Sequence, residues 1–184
     1  MRTALGFRAH SGWAAMVAAA DTVDSPRILG RKRIVIADPE LPGSKQPFHA
    51  AAEMALSKAE AHVRKVLDSS HALAIEALEA AIKGLRGQGH EVAICAVLRA
   101  SGRPLPELKA ILASHALIHT AEGEMFRDVL VAAAESLALP VICIRERELD
   151  FRRLDSLGRL IGPPWTQDQK YAAAAAFQVL NVVH

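Results

Sequence analysis

Hydrophobic and polar positions change their period twice along this chain, and the changes divide it into elements. The first third carries short apolar runs separated by turn residues. Arg2 to Phe7 is the first, Arg8-Ala9-His10-Ser11-Gly12 reads as a polar turn, and Gly12 to Ala18 is the second run. Asp24-Ser25-Pro26 is turn chemistry, and Arg27 to Ile36 follows with Ile28, Leu29, Ile34 and Val35. Three strands with short turns predict an antiparallel meander. The alanines at 14, 15 and 18 to 20 weaken the second strand on propensity, which leaves a helix as the competing reading there.

Beyond the break at Asp38-Pro39-Glu40-Leu41-Pro42-Gly43-Ser44 the period lengthens. Phe48, Ala52, Ala55, Ala59, Val63 and Val66 recur at helical spacing, and Leu78, Ala81, Ile82 and Leu85 resume it. Asp68-Ser69-Ser70 between them can interrupt or recap the helix, and Gly84, Gly87 and Gly89 close the segment. Val92 to Leu98 is a continuous apolar run, the mark of a strand covered on both faces and therefore parallel. Pro104 to Leu112 predicts a short helix. Ser114 can cap a longer one that passes Met125, Val129 and Leu137 and stops before Pro140. Pro140 to Ile144 is a second buried strand, and the charged stretch Arg145 to Arg159 is expected to be helical. Gly162-Pro163-Pro164 marks a stop, and a last helix starts near Thr166 and contains Ala172 to Ala176. The order is β-β-β-α-β-α-β-α, with no internal repeat, and residues 1–184 are expected to form one domain.

Composition narrows the class. The 184 residues are 51% hydrophobic with few aromatics and many alanines, which suits close helix–sheet packing and argues against disorder. A formal charge of +2 and a pI near 8.7 permit nucleic acid as a partner without demanding it. Cys95 and Cys143 each lie inside an apolar run, and the plain expectation is two buried, reduced thiols in a cytoplasmic protein. The first residues lack the apolar core of a signal peptide. No apolar stretch reaches the roughly 18 residues a membrane span needs.

In element order the chain resembles the ribonuclease H-like superfamily. Gly6-Phe7-Arg8-Ala9-His10-Ser11-Gly12-Trp13-Ala14 looks like the opening of its Holliday junction resolvase branch, a strand, a small-residue turn and a returning strand. Ala93-Ile94-Cys95 resembles that branch's fourth strand, and Ser114 to Val141 the helix and fifth strand after it. Thr166 to Ala173 is similar to the acid-bearing start of its last helix. The resemblance implies an α/β fold: a mixed five-stranded sheet, a three-strand antiparallel meander plus two parallel strands, flanked by helices. It also implies clustered carboxylates that hold two divalent metals around a phosphodiester. There this sequence departs. The first-strand aspartate falls on Arg8 and the fourth-strand glutamate on Cys95, and only Asp168 matches the last-helix acid. A guanidinium and a thiol are no ligands for magnesium, which takes hard oxygens. The resemblance therefore supports the scaffold and argues against the standard two-metal mechanism.

Three groups of residues can carry chemistry. On one helix His115, His119 and Glu122 fall at i, i+4 and i+7, within about 60° of the circumference. Two imidazoles at that spacing can share a divalent metal, with Glu122 as third ligand or base. The plainer reading is histidines packed at a helix–sheet boundary. Arg8 could grip a phosphate or carboxylate, and His10 beside Ser11 could form a base–nucleophile pair, or all three could simply make a polar turn. At the last helix, Trp165, Gln167, Asp168 and Lys170 are candidates for ligand contact, and Asp168 is equally a helix cap. The basic run Arg31-Lys32-Arg33 reads as a solvated strand edge. The turn after the first strand and the starts of the Ser114 and Thr166 helices are expected to meet at one sheet end.

The leading expectation is a ribonuclease H-like protein with a rebuilt active site, acting on nucleic acid or another phosphate-containing substrate, with a divalent metal as candidate cofactor. His115, His119, Glu122, Asp168, His10 and Ser11 are its candidate catalytic residues, and Arg8 and Lys170 its candidate substrate contacts. The alternative is a non-catalytic module that binds nucleic acid, a nucleotide or a protein on a degenerate nuclease scaffold. A homo-oligomer built on the Ala-rich helices is the third possibility.

Overall fold

The computed structural model describes residues 1–21, 26–100, 104–154, 157 and 161–180. Five strands form one sheet: β1 (Arg2–His10), β2 (Trp13–Asp21), β3 (Pro26–Val35), β4 (Glu91–Arg99) and β5 (Val141–Arg145). Their order is β3-β2-β1-β4-β5. The first three are an antiparallel meander, and β4 joins β1, and β5 joins β4, in parallel. The mixed sheet expected from the sequence is present. The helices are α1 (Pro47–Ala51), α2 (Leu56–Gly87), α3 (Leu108–Leu112), α4 (His115–Ser136) and α5 (Gln167–Leu180). Among the described residues no helix is long and apolar enough to cross a membrane.

Strand alternation gives the sheet two different faces. Leu5, Phe7, Met16, Ile34, Cys95 and Val97 pack with α2 and α4 residues such as Val66, Leu78, Phe126 and Leu130. Ala4, Val17, Ala19, Ile94, Ala96 and Leu98 pack against α5. The α5 side is rich in alanine, with Ala172 to Ala176 fully buried on it. This explains why an alanine-rich segment forms β2 and not a helix. Its alanines pair with β1 on one side and β3 on the other, and their small side chains let the α5 backbone approach.

Four sequence expectations are corrected. First, β1 runs through His10, so the turn shrinks to Ser11 and Gly12, where Gly12 holds φ at 79°. Arg8 and His10 are strand residues whose directions the pleat fixes. Second, α2 runs unbroken through Asp68-Ser69-Ser70, because Ser70 is buried and Ser69 donates outward to Asp38 Oδ2 at 3.2 Å. The chain turns instead between Ala52 and Ala55, so Phe48 belongs to the separate helix α1. Third, Ser114 stands at the start of α4 in extended conformation without a side-chain capping bond. Fourth, the stretch after β5 is not one helix. It forms two 3₁₀ turns, Glu146–Glu148 and Arg152–Leu154. Asp150 accepts from the Arg152 backbone N–H at 3.0 Å and from its guanidinium at 2.6 Å, a local alternative to helical bonding. Asp155 and Arg159 of that stretch, and the turn residues Asp24 and Ser25, lie outside the described residues.

Candidate functional site

Arg8 projects from β1 onto the α5 face and meets two carboxylates. Its Nε donates to Glu146 Oε1 at 3.0 Å, Nη2 to Glu146 Oε2 at 3.3 Å, and Nη1 to Asp168 Oδ1 at 2.8 Å. Glu146 is delivered by the turn after β5, and Asp168 by the first turn of α5. Asp168 is free for this because other residues cap the helix. Thr166 Oγ1 accepts from the Gln169 N–H at 3.3 Å, and Gln169 Oε1 accepts from the Thr166 N–H at 3.2 Å, a reciprocal capping box. The same Asp168 oxygen lies 2.9 Å from His10 Nε2. Partial burial opposes charge on Arg8, but hydrogen bonds and the charge of Glu146, then of Asp168, outweigh it and hold its pKa above the usual value.

Aromatic rings extend this network on both sides. The guanidinium carbon of Arg8 lies 4.3 Å from the centre of the Tyr171 ring, and Tyr171 meets Phe151 edge-on at 5.0 Å. His10 stacks on Trp13 with centroids 4.2 Å apart and planes 12° from parallel, and Arg33 from β3 covers Trp13 at 3.9 Å. Arg33 and Lys170 are exposed. Arg31, on the same edge strand, is not a solvated residue. It donates to the carbonyls of Gly162 at 3.1 Å and Pro164 at 2.6 Å, fixing the approach to α5.

A carboxylate-held magnesium pair does not fit this place. Among the described residues both acids at this place are engaged by a cation at its centre, and the β4 side chains on this face are the apolar Ile94, Ala96 and Leu98. Cys95, where the resemblance sets the fourth-strand acid, faces the opposite side of the sheet in the α2–α4 core. Burial pushes its thiol up to about 12.

The histidines of α4 form a second site. His115 and His119 stand one turn apart with ring centroids 4.5 Å apart, and His49 of α1 joins them at 5.4 and 4.7 Å. Glu122, one turn further along, is 3% exposed at its side chain and takes no place among the imidazoles. It accepts from the His49 backbone N–H at 3.2 Å, and both its oxygens lie 2.9 Å from His49 Nδ1. Because α1 and α4 cover the face opposite α5, the expected meeting of all three segments does not occur. Arg8, His10 and Asp168 converge, and His115, His119 and Glu122 converge elsewhere. Ser11 is exposed, and no described hydrogen bond joins it to His10, whose Nε2 faces Asp168.

Sequence reasoning missed Glu146 and His49. Glu146 follows β5 directly, a position at the sheet end, but sits in a run of mixed charges that hides it. His49 reaches Glu122 across 73 residues, and no local pattern announces such a pair.

The order β3-β2-β1-β4-β5, with helices on both faces, defines a ribonuclease H-like α/β fold. Among solved structures the chain is similar to Thermus thermophilus RuvC in complex with a Holliday junction substrate. The TM-score is 0.53 and the identity 14%, over 96% of this chain and 90% of that one. It is also similar to a second Thermus thermophilus RuvC structure, at TM-score 0.50 and 14% identity over 95% of this chain and 90% of that one. At that identity the likeness establishes the fold. No protein-family model matches the sequence, and no curated protein sequence does.

Proposed function

We propose that this chain is a nucleic-acid-binding protein on a resolvase-like scaffold, in which a fixed charge network has replaced carboxylate-held metal at the β1–α5 end. One observation carries the reading: the Arg8 guanidinium is bonded to both Asp168 and Glu146. Three of the five Arg8 N–H donors, one on each nitrogen, are taken by these two acids. Its role is to hold the two acids, and with them His10, in place.

The contact surface in this reading is carried by two exposed cations, Arg33 over the half-buried Trp13 and Lys170 of α5. The Arg33 guanidinium over Trp13 offers a planar cation on which a base can stack, and the exposed charges of Arg33 and Lys170 attract phosphates. The similar RuvC structure holds a junction substrate, which supports nucleic acid as the ligand class. The test is fluorescence anisotropy with labelled branched, duplex and single-stranded DNA, in EDTA and in magnesium. The expected result is binding that EDTA does not weaken, lowered at least about tenfold by Arg33→Glu with Lys170→Glu. Magnesium-dependent cleavage that Asp168→Ala abolishes would overturn the reading.

The imidazole cluster favours a second reading, a hydrolase whose chemistry has moved to the opposite face. His115 and His119 would act there as acid, base or metal ligands, with Glu122 supporting His49. It predicts turnover of a phosphate-containing substrate that His119→Ala abolishes and Arg8→Leu spares.

A further inference from the structure

We infer that His49, His115 and His119 form a binding site for one late first-row divalent metal ion of the zinc class, with Glu122 as the outer carboxylate that aims His49. This inference does not depend on how the Arg8 end is read.

Each of the three imidazoles can offer a ring nitrogen such that all three atoms lie within 4.8 Å of one another. Three nitrogens on one tetrahedral zinc, each about 2.0–2.1 Å from it, stand roughly 3.3–3.4 Å apart. Small side-chain rotations close that difference. The rings meet at steep angles, 82°, 65° and 84°, so none stacks on another.

The supports are built from two helices. His115 and His119 share a face of α4 at i, i+4, and α1 lays His49 across it. Glu122 is the decisive addition. A carboxylate accepts hydrogen bonds, so the neutral His49 tautomer that suits this contact carries its proton on Nδ1 and keeps the Nε2 lone pair for a metal. A histidine with one nitrogen on a buried acid and the other presented outward is the arrangement that second-shell carboxylates give metal ligands. Glu122 also accepts the His49 backbone N–H, so the backbone and the ring are held by one group.

The donor set chooses the metal. Three neutral imidazoles suit zinc, cobalt, nickel or copper, and give magnesium or calcium no hard oxygen to prefer. His115 and His119 are exposed, so a fourth position faces solvent and can take water or an anionic ligand.

The experiment is titration of the metal-stripped protein with zinc by calorimetry, and with cobalt by visible absorption. The expected result is one equivalent of zinc per chain and intense d–d bands from tetrahedral cobalt, neither produced by magnesium. His119→Ala and His49→Ala should each remove both signals, with circular dichroism unchanged for His119→Ala because that side chain is exposed. His71→Ala, a distant histidine control, should leave them intact, and Glu122→Gln should weaken binding about 10–100-fold. Cobalt bands that survive His119→Ala, or zinc uptake matched by a folded His49→Ala, His115→Ala, His119→Ala triple variant, would overturn the inference.

Discussion

The backbone of α5 lies against Gly6 of β1 so closely that a Cβ there would overlap the Ala172 carbonyl. Its carbon and the Ala176 nitrogen would each be 2.9 Å from that Cβ. Main chain, not a flexible side chain, occupies the space, so the helix itself would have to move. Gly6→Ala is therefore expected to cost about 1–3 kcal/mol, as overpacking of a core does. It should also loosen Asp168, which rides on the first turn of that helix. Urea denaturation gives the first effect. A variant as stable as the parent would mean that α5 is not seated on β1 as described.

Removing the guanidinium that separates Asp168 from Glu146 should expose their repulsion. Arg8→Leu leaves both acids without their shared cation, and these side chains are partly open to solvent, at 21% for Arg8, 37% for Glu146 and 27% for Asp168. Solvent screening limits the loss to about 1–2 kcal/mol. The Arg8 pKa is raised by its two carboxylate partners, so while those acids are ionised its contribution is complete up to the ordinary arginine value and fades only in strong alkali. A double-mutant cycle of Arg8→Leu with Glu146→Gln, followed by urea denaturation, should return a coupling of at least about 0.5 kcal/mol. Additive effects would remove the network from the account of this site. A second variant reverses the chemistry. Arg8→Asp brings three carboxylates to one sheet end, and calorimetry should then detect manganese binding that the parent lacks.

The two cysteines are not both buried as their apolar runs suggest, because β5 is an edge strand that leaves Cys143 open, and pH should reveal the difference. Cys143 is exposed and Cys95 fully buried. Iodoacetamide should label one thiol in the native protein and two after denaturation. Burial raises the folded-state pKa of Cys95 from 9.0 to about 12, so the folded chain favours the protonated thiol. Below pH 9 the group is neutral in both states and adds no pH dependence. Above it the unfolded chain loses the proton first, and stability falls by about 1.4 kcal/mol per pH unit until the folded value is reached. Cys95→Ala should lack that part of the slope in denaturation series between pH 9 and 11. Equal slopes for parent and variant would contradict the burial of this thiol.

The sheet was legible in the sequence because its signals are local. Val92 to Leu98 alternates nothing and is buried on both faces, and the runs before residue 37 are spaced by turn residues. Even the alanine-rich β2 was read as a strand, although propensity alone favours it little. What the sequence did not carry is which face each candidate takes. The local pattern puts Arg8 in a turn, and one strand residue more or less decides whether it meets α5 or α4. Sequence leaves Asp168 open between cap and function, and the Thr166–Gln169 capping box decides it. The histidines at 115 and 119 were found from helical spacing, whereas His49 and Glu146 arrive from distant segments. Glu122 was correctly placed on the histidine stripe, but its carboxylate turns to His49 and the protein interior.

Arg31 shows how a residue taken for solvated edge charge can hold a loop. Its Nη1 reaches the carbonyls of Gly162 and Pro164, and its Nη2 lies 3.3 Å from that of Ile161 and 3.5 Å from that of Pro163. Carbonyls that converge on one planar fork suit arginine and cannot be matched by a single ammonium. Arg31→Ala should release residues 161–166, which lead into α5, and cost about 1–2 kcal/mol of stability. Arg31→Lys should recover only part of it. Limited proteolysis is the direct measure: both variants are expected to be cut in this segment faster than the parent, with alanine the faster of the two. Since the loop sets the start of α5, the same variants should also weaken the hold of Asp168 on Arg8 and His10. A cleavage rate unchanged by Arg31→Ala would mean that the loop is held by its prolines and packing alone, and that Arg31 is the edge charge its sequence first suggests.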